Sequence, residues 1–348
     1  MSAYDGSVAV MDPLRLLEDL HGHFTTAQAR DCGLSTLHIG HLVRTGALVV
    51  VRRGVYADGE AWRALDEDRG RHRLRTRAAT MRMSRAFVAS HDSSAHEHGL
   101  PILNPPDPHV HITRPGSTNA WTEYGVKHHL ARYRLEQVVR IDGLDVLDLA
   151  RTAVDIAREH GEPYGEIACD AAMRLGVPRS ALEDACAIMT YWPHHRRTER
   201  AVAFARPEAA NLAETMSRIL VTELGLGEVD PQFPVRLENG RVVWGDIRVG
   251  CHFFEFFGEI KLRPPEAGGV AQAPAFEVVR DAKKRDIDLG HVGLGVSHIL
   301  WADLWEPQRS LAKRRLRAEF DETVRRFGAQ LPERLARQAR ELRGQRGA

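Results

Sequence analysis

Between Arg241 and Lys261 the chain reads RVVWGDIRVGCHFFEFFGEIK. Two β-branched and aromatic runs flank Gly250–Cys251, and a glycine at the first central position of a two-residue loop predicts a type II′ hairpin. With that turn Val249 faces His252, and counting outward sets Asp246 opposite Glu255. Directly opposed residues share a sheet face, with Cβ atoms roughly 4.5–5.5 Å apart. Two carboxylates so placed repel each other unless a cation sits between them, and a divalent metal is the usual remedy. An acid pair holding such an ion beside a phosphodiester is the arrangement of many metal-dependent phosphodiesterases.

The hairpin belongs to a longer pattern. A helix is expected over Glu208–Leu224, with Leu212, Met216, Ile219 and Leu220 on its apolar face and Glu214 placed to pair with Arg218 one turn on. The strands FPVRLE, VVWGDIRV and HFFEFFGEIK follow, the first two joined by Asn239-Gly240. A helix over Phe276–Leu289 carries the basic run Lys283-Lys284-Arg285, and a last strand VSHIL precedes WADLW. Helix, three strands, helix and strand make an α/β core of about 100 residues. GHVGLGVSH is no phosphate loop, because it leads from helix to strand, the reverse of the order such loops need.

At 348 residues, 43% hydrophobic and 27% charged, the chain is expected to be a soluble multidomain protein of α/β (α+β) class. The formal net charge of +1 hides arginine clusters over Arg69–Arg85 and from Arg309 onward. Four cysteines without CxxC spacing argue against a disulfide framework or a thiolate zinc site. No apolar run has the length of a membrane span, and the N-terminus lacks signal-peptide character, so a cytoplasmic location is the default.

Toward the N-terminus, Leu14, Leu16, Leu17 and Leu20 predict a short amphipathic helix. Thr25-Thr26 caps a second helix over Ala27–Asp31, closed by Gly33. Ser35 begins a third, running to Thr45 with Leu37, Ile39, Leu42 and Val43 as its apolar positions. The run ALVVVRRGVY then predicts a hairpin wing. Such a winged helix-turn-helix offers Ser35, Thr36, His38 and Arg44 to the major groove, and Arg52 and Arg53 to phosphates. A small helical domain used for protein contacts is the alternative.

FTTAQARDCGLSTLHIGHLVRTGALVVVRRGVYAD resembles the N-terminal winged helix of AbiEi-family antitoxins. SHDSSAHEHGL and LDLARTAVDIA extend the resemblance to about residue 160. It implies a DNA-binding autorepressor of a type IV toxin–antitoxin operon, with a nucleotidyltransferase-type toxin as partner and a homodimer on a palindromic site. The C-terminal order resembles the PD-(D/E)XK nuclease fold, specifically Vsr-like endonuclease domains, through ETMSRIL, GDIRV, FFEFFGEIK, AKKRDIDL and ILWADL. That resemblance implies Asp246 and Glu255 as ligands of Mg²⁺ or Mn²⁺, Glu214 orienting a metal water, and Lys284 and Arg285 facing DNA. Phe257 departs from the pattern, since an acid or lysine belongs there and an apolar ring neither ligates a metal nor activates water. Lys261 has the same strand parity and would supply a displaced ammonium, with Glu259 a further ligand.

The expected segments are therefore residues 1–60 (winged helix), 61–160 (linker helix and mixed α/β), 161–206 (helical connector), 207–305 (nuclease-like core) and 306–348 (basic helix). Arg69–Arg85 reads as a solvated linker helix or as a backbone-contacting one. In the middle segment a helix is expected from about Asp145. His91, His96, His98, His109, His111, His128 and His129 lack any helical metal-binding spacing, and alternation in HVH puts two imidazoles on a solvent-facing side. His91-Asp92-Ser93 is no hydrolase triad without a nucleophile elbow. Leu311, Leu316, Phe320, Val324 and Phe327 form a packing stripe near the C-terminus. The favoured function is a DNA-binding regulator with a nuclease-fold C-terminal domain. Its rivals are a metal-dependent endonuclease targeted by the winged helix and a non-catalytic, toxin-binding antitoxin.

Overall fold

The computed structural model describes residues 22–81, 83–116, 119–258 and 274–346. The first expected helix and the positions of Glu259 and Lys261 lie outside them. The class is mixed α/β, with three sheets among the described residues. Two compact units emerge, Met1–Ala168 with Val177–Ala203, and Cys169–Gly176 with Phe204–Ala348. Among the described residues no helix is long and apolar enough to cross a membrane.

The first unit opens with β1 (His23–Thr25), α1 (Thr26–Asp31), α2 (Thr36–Arg44), β2 (Leu48–Arg52) and β3 (Val55–Asp58), and its small sheet has the order β1-β3-β2. Thr25 caps α1 reciprocally with Gln28: the hydroxyl accepts the Gln28 N–H at 3.2 Å and the Gln28 amide oxygen accepts the Thr25 N–H at 2.8 Å. Phe24, Ala29, Leu34, Ile39 and Leu48 form the core, with Leu42, Val43 and Tyr56 packed against it. Leu37 is not part of that core. It is 85% exposed, because Ile39 and the Leu42-Val43 pair already fill the inward face of α2.

After α3 (Gly59–Ala64) comes α4 (Arg69–Thr80), whose arginines are engaged within the unit. Arg73 and Arg77 grip the buried Glu97 at 3.0 and 2.8 Å and reach Asp142 at 3.2 and 3.4 Å. Arg71 and Arg75 lie over the Trp62 ring. These contacts favour neither solvated-linker nor phosphate-binding roles for those side chains.

A six-stranded sheet follows, built from β4 (Val88–Ala89), β5 (Val110–Arg114), β6 (Asn119–Glu123), β7 (Val126–Leu130), β8 (Val138–Ile141) and β9 (Leu144–Leu147), in the order β6-β7-β5-β4-β9-β8. α5 (His91–His98) and α6 (Leu149–His160) accompany it. The helix expected from Asp145 begins later. Leu144–Leu147 pairs with β8 across a turn at Asp142-Gly143, where both residues have positive φ, and Asp148 then caps α6 by accepting the Arg151 N–H at 2.7 Å. Of the two HVH imidazoles, His111 is not on a solvent-facing side, whereas the His109 side chain is 27% exposed. His111 is 2% exposed, because β5 lies inside the sheet and four of its five residues are buried. Helices α7 (Tyr164–Arg174), α8 (Arg179–Ala187) and α9 (His195–Phe204) follow, the part of α7 from Cys169 onward being counted with the second unit.

The second unit runs α10 (Leu212–Leu224), β10 (Asp230–Arg236), β11 (Val242–Val249), β12 (His252–Phe257), α11 (Ala275–His291) and β13 (Gly295–Leu300). Its sheet order is β10-β11-β12-β13, antiparallel except for the β12–β13 pair. Asn211 sets the start of α10 by accepting the N–H groups of Ala213 and Glu214, four residues later than expected. The Glu214–Arg218 pair does not form. Arg218 binds Asp170 at 2.5 Å and the Phe204 carbonyl at 2.8 Å, while Glu214 turns back onto the start of its helix. The chain ends in two helices, α12 (Gln308–Phe327) and α13 (Glu333–Arg346). Leu316 and Phe320 are buried as expected, whereas Leu311 is exposed. Leu335 and Ala339 of α13 join Phe233, Val235, Val243 and Phe253 in the unit's core.

Candidate functional site

The winged helix presents one face of α2. Ser35 caps the helix, its hydroxyl accepting the His38 N–H at 3.2 Å, and the Thr36 hydroxyl accepts from Arg30 at 3.2 Å. Ser35, Thr36, His38 and Arg44 are all exposed. Leu37, His41 and Thr45 are exposed beside them and were missed from the sequence. The i, i+4, i+7 spacing of Leu37, His41 and Arg44 was the available signal, since it describes a second stripe on the same helix. An exposed leucine between hydrogen-bonding side chains suits the thymine methyl of a major groove.

At the wing, Arg53 is exposed next to the tight turn that Gly54 makes with φ +75°. Arg52 is half-buried and donates through Nη1 to the Tyr124 carbonyl at 3.1 Å. That contact ties the wing to the β6–β7 turn within the same unit. The two wing arginines are therefore not equivalent.

In the second unit the Gly250–Cys251 turn places Val249 opposite His252, and Gly250 has the left-handed φ of +55° that a type II′ turn needs. The pairing runs through Ile247↔Phe254 and stops there, one step short of Asp246 and Glu255. Asp246 accepts the Phe256 N–H at 2.9 Å, so its carboxylate takes the donor of the neighbouring strand. Glu255 is 8% exposed, and the cation beside it is Arg285 of α11, at 3.0 Å. The same guanidinium donates to the Trp244 carbonyl at 2.6 Å, which locks it between two strands. Arg285 is thus an internal counter-charge, while Lys284 is exposed on the helix.

Glu214 accepts from the Ala210 N–H at 2.8 Å and from the Asn211 amide at 2.9 Å, with the Gln232 amide at 3.4 Å. Gln232 sits between the Pro231↔Ile247 and Phe233↔Gly245 pairs and so stands across from Asp246. His298, level with Glu255 in the parallel register, bonds Asp286 at 2.8 Å and meets the Phe257 ring edge-on, with centroids 5.8 Å apart. The Asp286 hydrogen bond raises the His298 pKa above 6.5 against the opposing effect of burial. Phe257 therefore does face the acid site. Sequence reasoning missed Gln232, Asp286 and His298, because only the register between distant strands brings them there. Among the described residues, the gatherings of three or more metal-ligating side chains lie in the first unit and include neither Asp246 nor Glu255.

Residues 11–57 match the family model described as "Transcriptional regulator, AbiEi antitoxin". A search of the curated proteins returns no match. The segment that presents α2 and the wing is therefore similar to the AbiEi antitoxin regulators, and that similarity covers the N-terminal part of the chain.

Proposed function

We propose that the chain is a DNA-binding regulator of antitoxin type, in which α2 enters the major groove and the β2–β3 wing lies on the phosphate backbone. One observation carries this reading. Within the segment that matches the AbiEi regulators, α2 buries Ile39 and turns Leu37, His38, His41 and Arg44 to solvent beside an arginine-bearing hairpin. Titration of labelled duplex from upstream of its own coding sequence, against scrambled duplex, tests it. Arg44→Ala should weaken binding to the cognate duplex by roughly 5- to 100-fold, with less effect on scrambled DNA. Arg53→Ala should weaken both and lower the slope of log affinity against log salt by about 1. Equal affinity for both duplexes in the unsubstituted protein would remove the operator-reading role. The antitoxin resemblance also makes a nucleotidyltransferase-type toxin the expected partner, and a palindromic site would call for a homodimer, which pull-down and ultracentrifugation examine directly.

A nuclease-like fold is supported by the second unit's helix–three strands–helix–strand order and by Asp246 and Glu255 standing on neighbouring strands. Its role in this reading is binding rather than cleavage. Arg285 pairs with one oxygen of Glu255, one oxygen of Asp246 accepts a backbone N–H, and Phe257 brings an apolar ring where the chemistry needs a charged group. Duplex and single-stranded DNA should therefore survive incubation with the protein in Mg²⁺ or Mn²⁺. The rival reading, a metal-dependent endonuclease, is favoured by the placement of the two acids on the neighbouring strands β11 and β12. Cleavage that both Asp246→Ala and Glu255→Ala abolish would establish it.

A further inference from the structure

The first unit contains a set of buried histidines that DNA binding does not use. His91 opens α5, His111 lies on β5 and His129 on the neighbouring parallel strand β7. They are 1%, 2% and 2% exposed, and a ring nitrogen of each lies within 4.8 Å of the others. His111 Nδ1 and His129 Nε2 are 3.0 Å apart. The His91 and His129 rings stack with centroids 3.9 Å apart.

Two of the ring nitrogens that point away from this centre have polar neighbours. His91 Nδ1 is 2.9 Å from the Ser90 hydroxyl, and His111 Nε2 is 3.7 Å from Asp92, whose carboxylate also meets His160 Nε2 at 3.0 Å. His91 Nε2 is buried and has no hydrogen-bond partner among the described residues. A buried imidazole nitrogen in that state needs an explanation, and a metal ion is one of the few that fit. His91 also holds a left-handed backbone conformation, φ +49°, which is uncommon for a residue other than glycine and clusters at functional sites.

We propose that His91 Nε2, His111 Nδ1 and His129 Nε2 bind a transition-metal ion, Zn²⁺ by the chemistry of its donors, with Asp92 behind His111 as its orienting carboxylate. Three imidazoles suit Zn²⁺ and its neighbours in the first transition row, whereas Mg²⁺ and Ca²⁺ want oxygen ligands. Zn–N bonds of about 2.0–2.1 Å require the outermost nitrogens to close in by under an ångström each, which side-chain rotation supplies. A carboxylate hydrogen-bonded to the far nitrogen of a ligating histidine fixes its tautomer and raises its basicity, and Asp92, 3.7 Å from His111 Nε2, would take that place with a small shift. Burial keeps all three imidazoles neutral, the state that ligates. Arg158 and Lys127 also face the cluster and oppose a dication, while His160 shares Asp92. Affinity is therefore set by the three donors and Asp92 against those two cations.

The test uses the full-length chain with any affinity tag removed, so that no added histidines compete. Elemental analysis after dialysis should find about one zinc per chain. Co²⁺ added to the EDTA-stripped protein should give the visible absorption of a low-symmetry, nitrogen-ligated ion. His91→Gln and His129→Gln should abolish that band, and Asp92→Asn should weaken metal affinity by roughly 10- to 100-fold. If the glutamine variants do not fold, the unsubstituted protein still decides: its melting temperature should rise with Zn²⁺ and not with Mg²⁺. Folded protein that gives no Co²⁺ band, or glutamine variants that fold and retain the metal, would overturn the assignment.

Discussion

Mild acid should destabilise the first unit, the loss setting in below pH 6.5 and growing as pH falls toward 3. His72 and His129 are buried and neutral, and desolvation pushes each pKa from 6.5 to about 3. The same cause holds His91 and His111 well below 6.5, and Arg158 adds to it at His91 and His129. Below pH 6.5 the unfolded chain takes up protons on these residues while the folded one does not, so stability falls as pH falls. At pH 5, 1.5 pH units below the unfolded value, His72 and His129 each forfeit about 2 kcal/mol, and His91 and His111 act in the same direction. A domain has only about 5–15 kcal/mol to lose. A metal on His91, His111 and His129 would sharpen the dependence, since protons displace it. The second unit differs. His252, pushed to about 4, works the same way, but His298, raised by Asp286, contributes stability in acid that is lost as pH rises through its folded pKa. Circular dichroism across pH, with hydrogen exchange to locate the change, checks this. A first unit still native at pH 4 would mean that these imidazoles reach solvent.

What the sequence revealed depended on how local the cause was. Gly250 could be read because a type II′ turn needs one residue with positive φ, and Val249↔His252 followed at once. Counting three steps further reaches Asp246 and Glu255, but the ladder stops one step before them, where Asp246 takes the Phe256 N–H on its own side chain, a bond invisible to pattern counting. Asp142-Gly143 is as strong a hairpin signal as Asn239-Gly240, yet the helical period of VLDLARTAVDIA drew the boundary too early. Leu37 misled for a different reason. It is apolar in a helix and was assigned to the core, whereas Ile39, Leu42 and Val43 already fill the inward face and leave it outside. The histidines were the hardest to place. His91 and His129 are far apart in sequence, and only the parallel register of β5 and β7 brings His129 beside His111. Their burial could not be read from alternation, because an interior strand covered on both faces has no solvent side.

Asp155→Ala should cost about 3–5 kcal/mol, the largest effect of any single substitution considered, because it leaves a buried guanidinium without its anion. Arg151 and Asp155 are both fully buried, one turn apart on α6, with Nε and Oδ2 at 3.0 Å. Arg151 also donates to the Arg132 carbonyl at 3.0 Å and lies over the Trp192 ring, 5.3 Å from its centroid. With Asp155 gone, the carbonyl and the ring remain, but neither carries the opposing unit charge. Replacing both partners by apolar residues of similar volume, Arg151→Met with Asp155→Leu, should recover most of the loss, since no charge is then stranded. Urea denaturation of the four proteins in the cycle measures the coupling directly. Arg158 shares the Trp192 ring, at 5.5 Å, and also faces His91 and His129. An Asp155→Ala protein that stays folded should therefore show a shifted Co²⁺ band, because the helix that carries Arg158 loses its anchor. A cost below about 1 kcal/mol would instead mean that Arg151 escapes to solvent when its partner is removed.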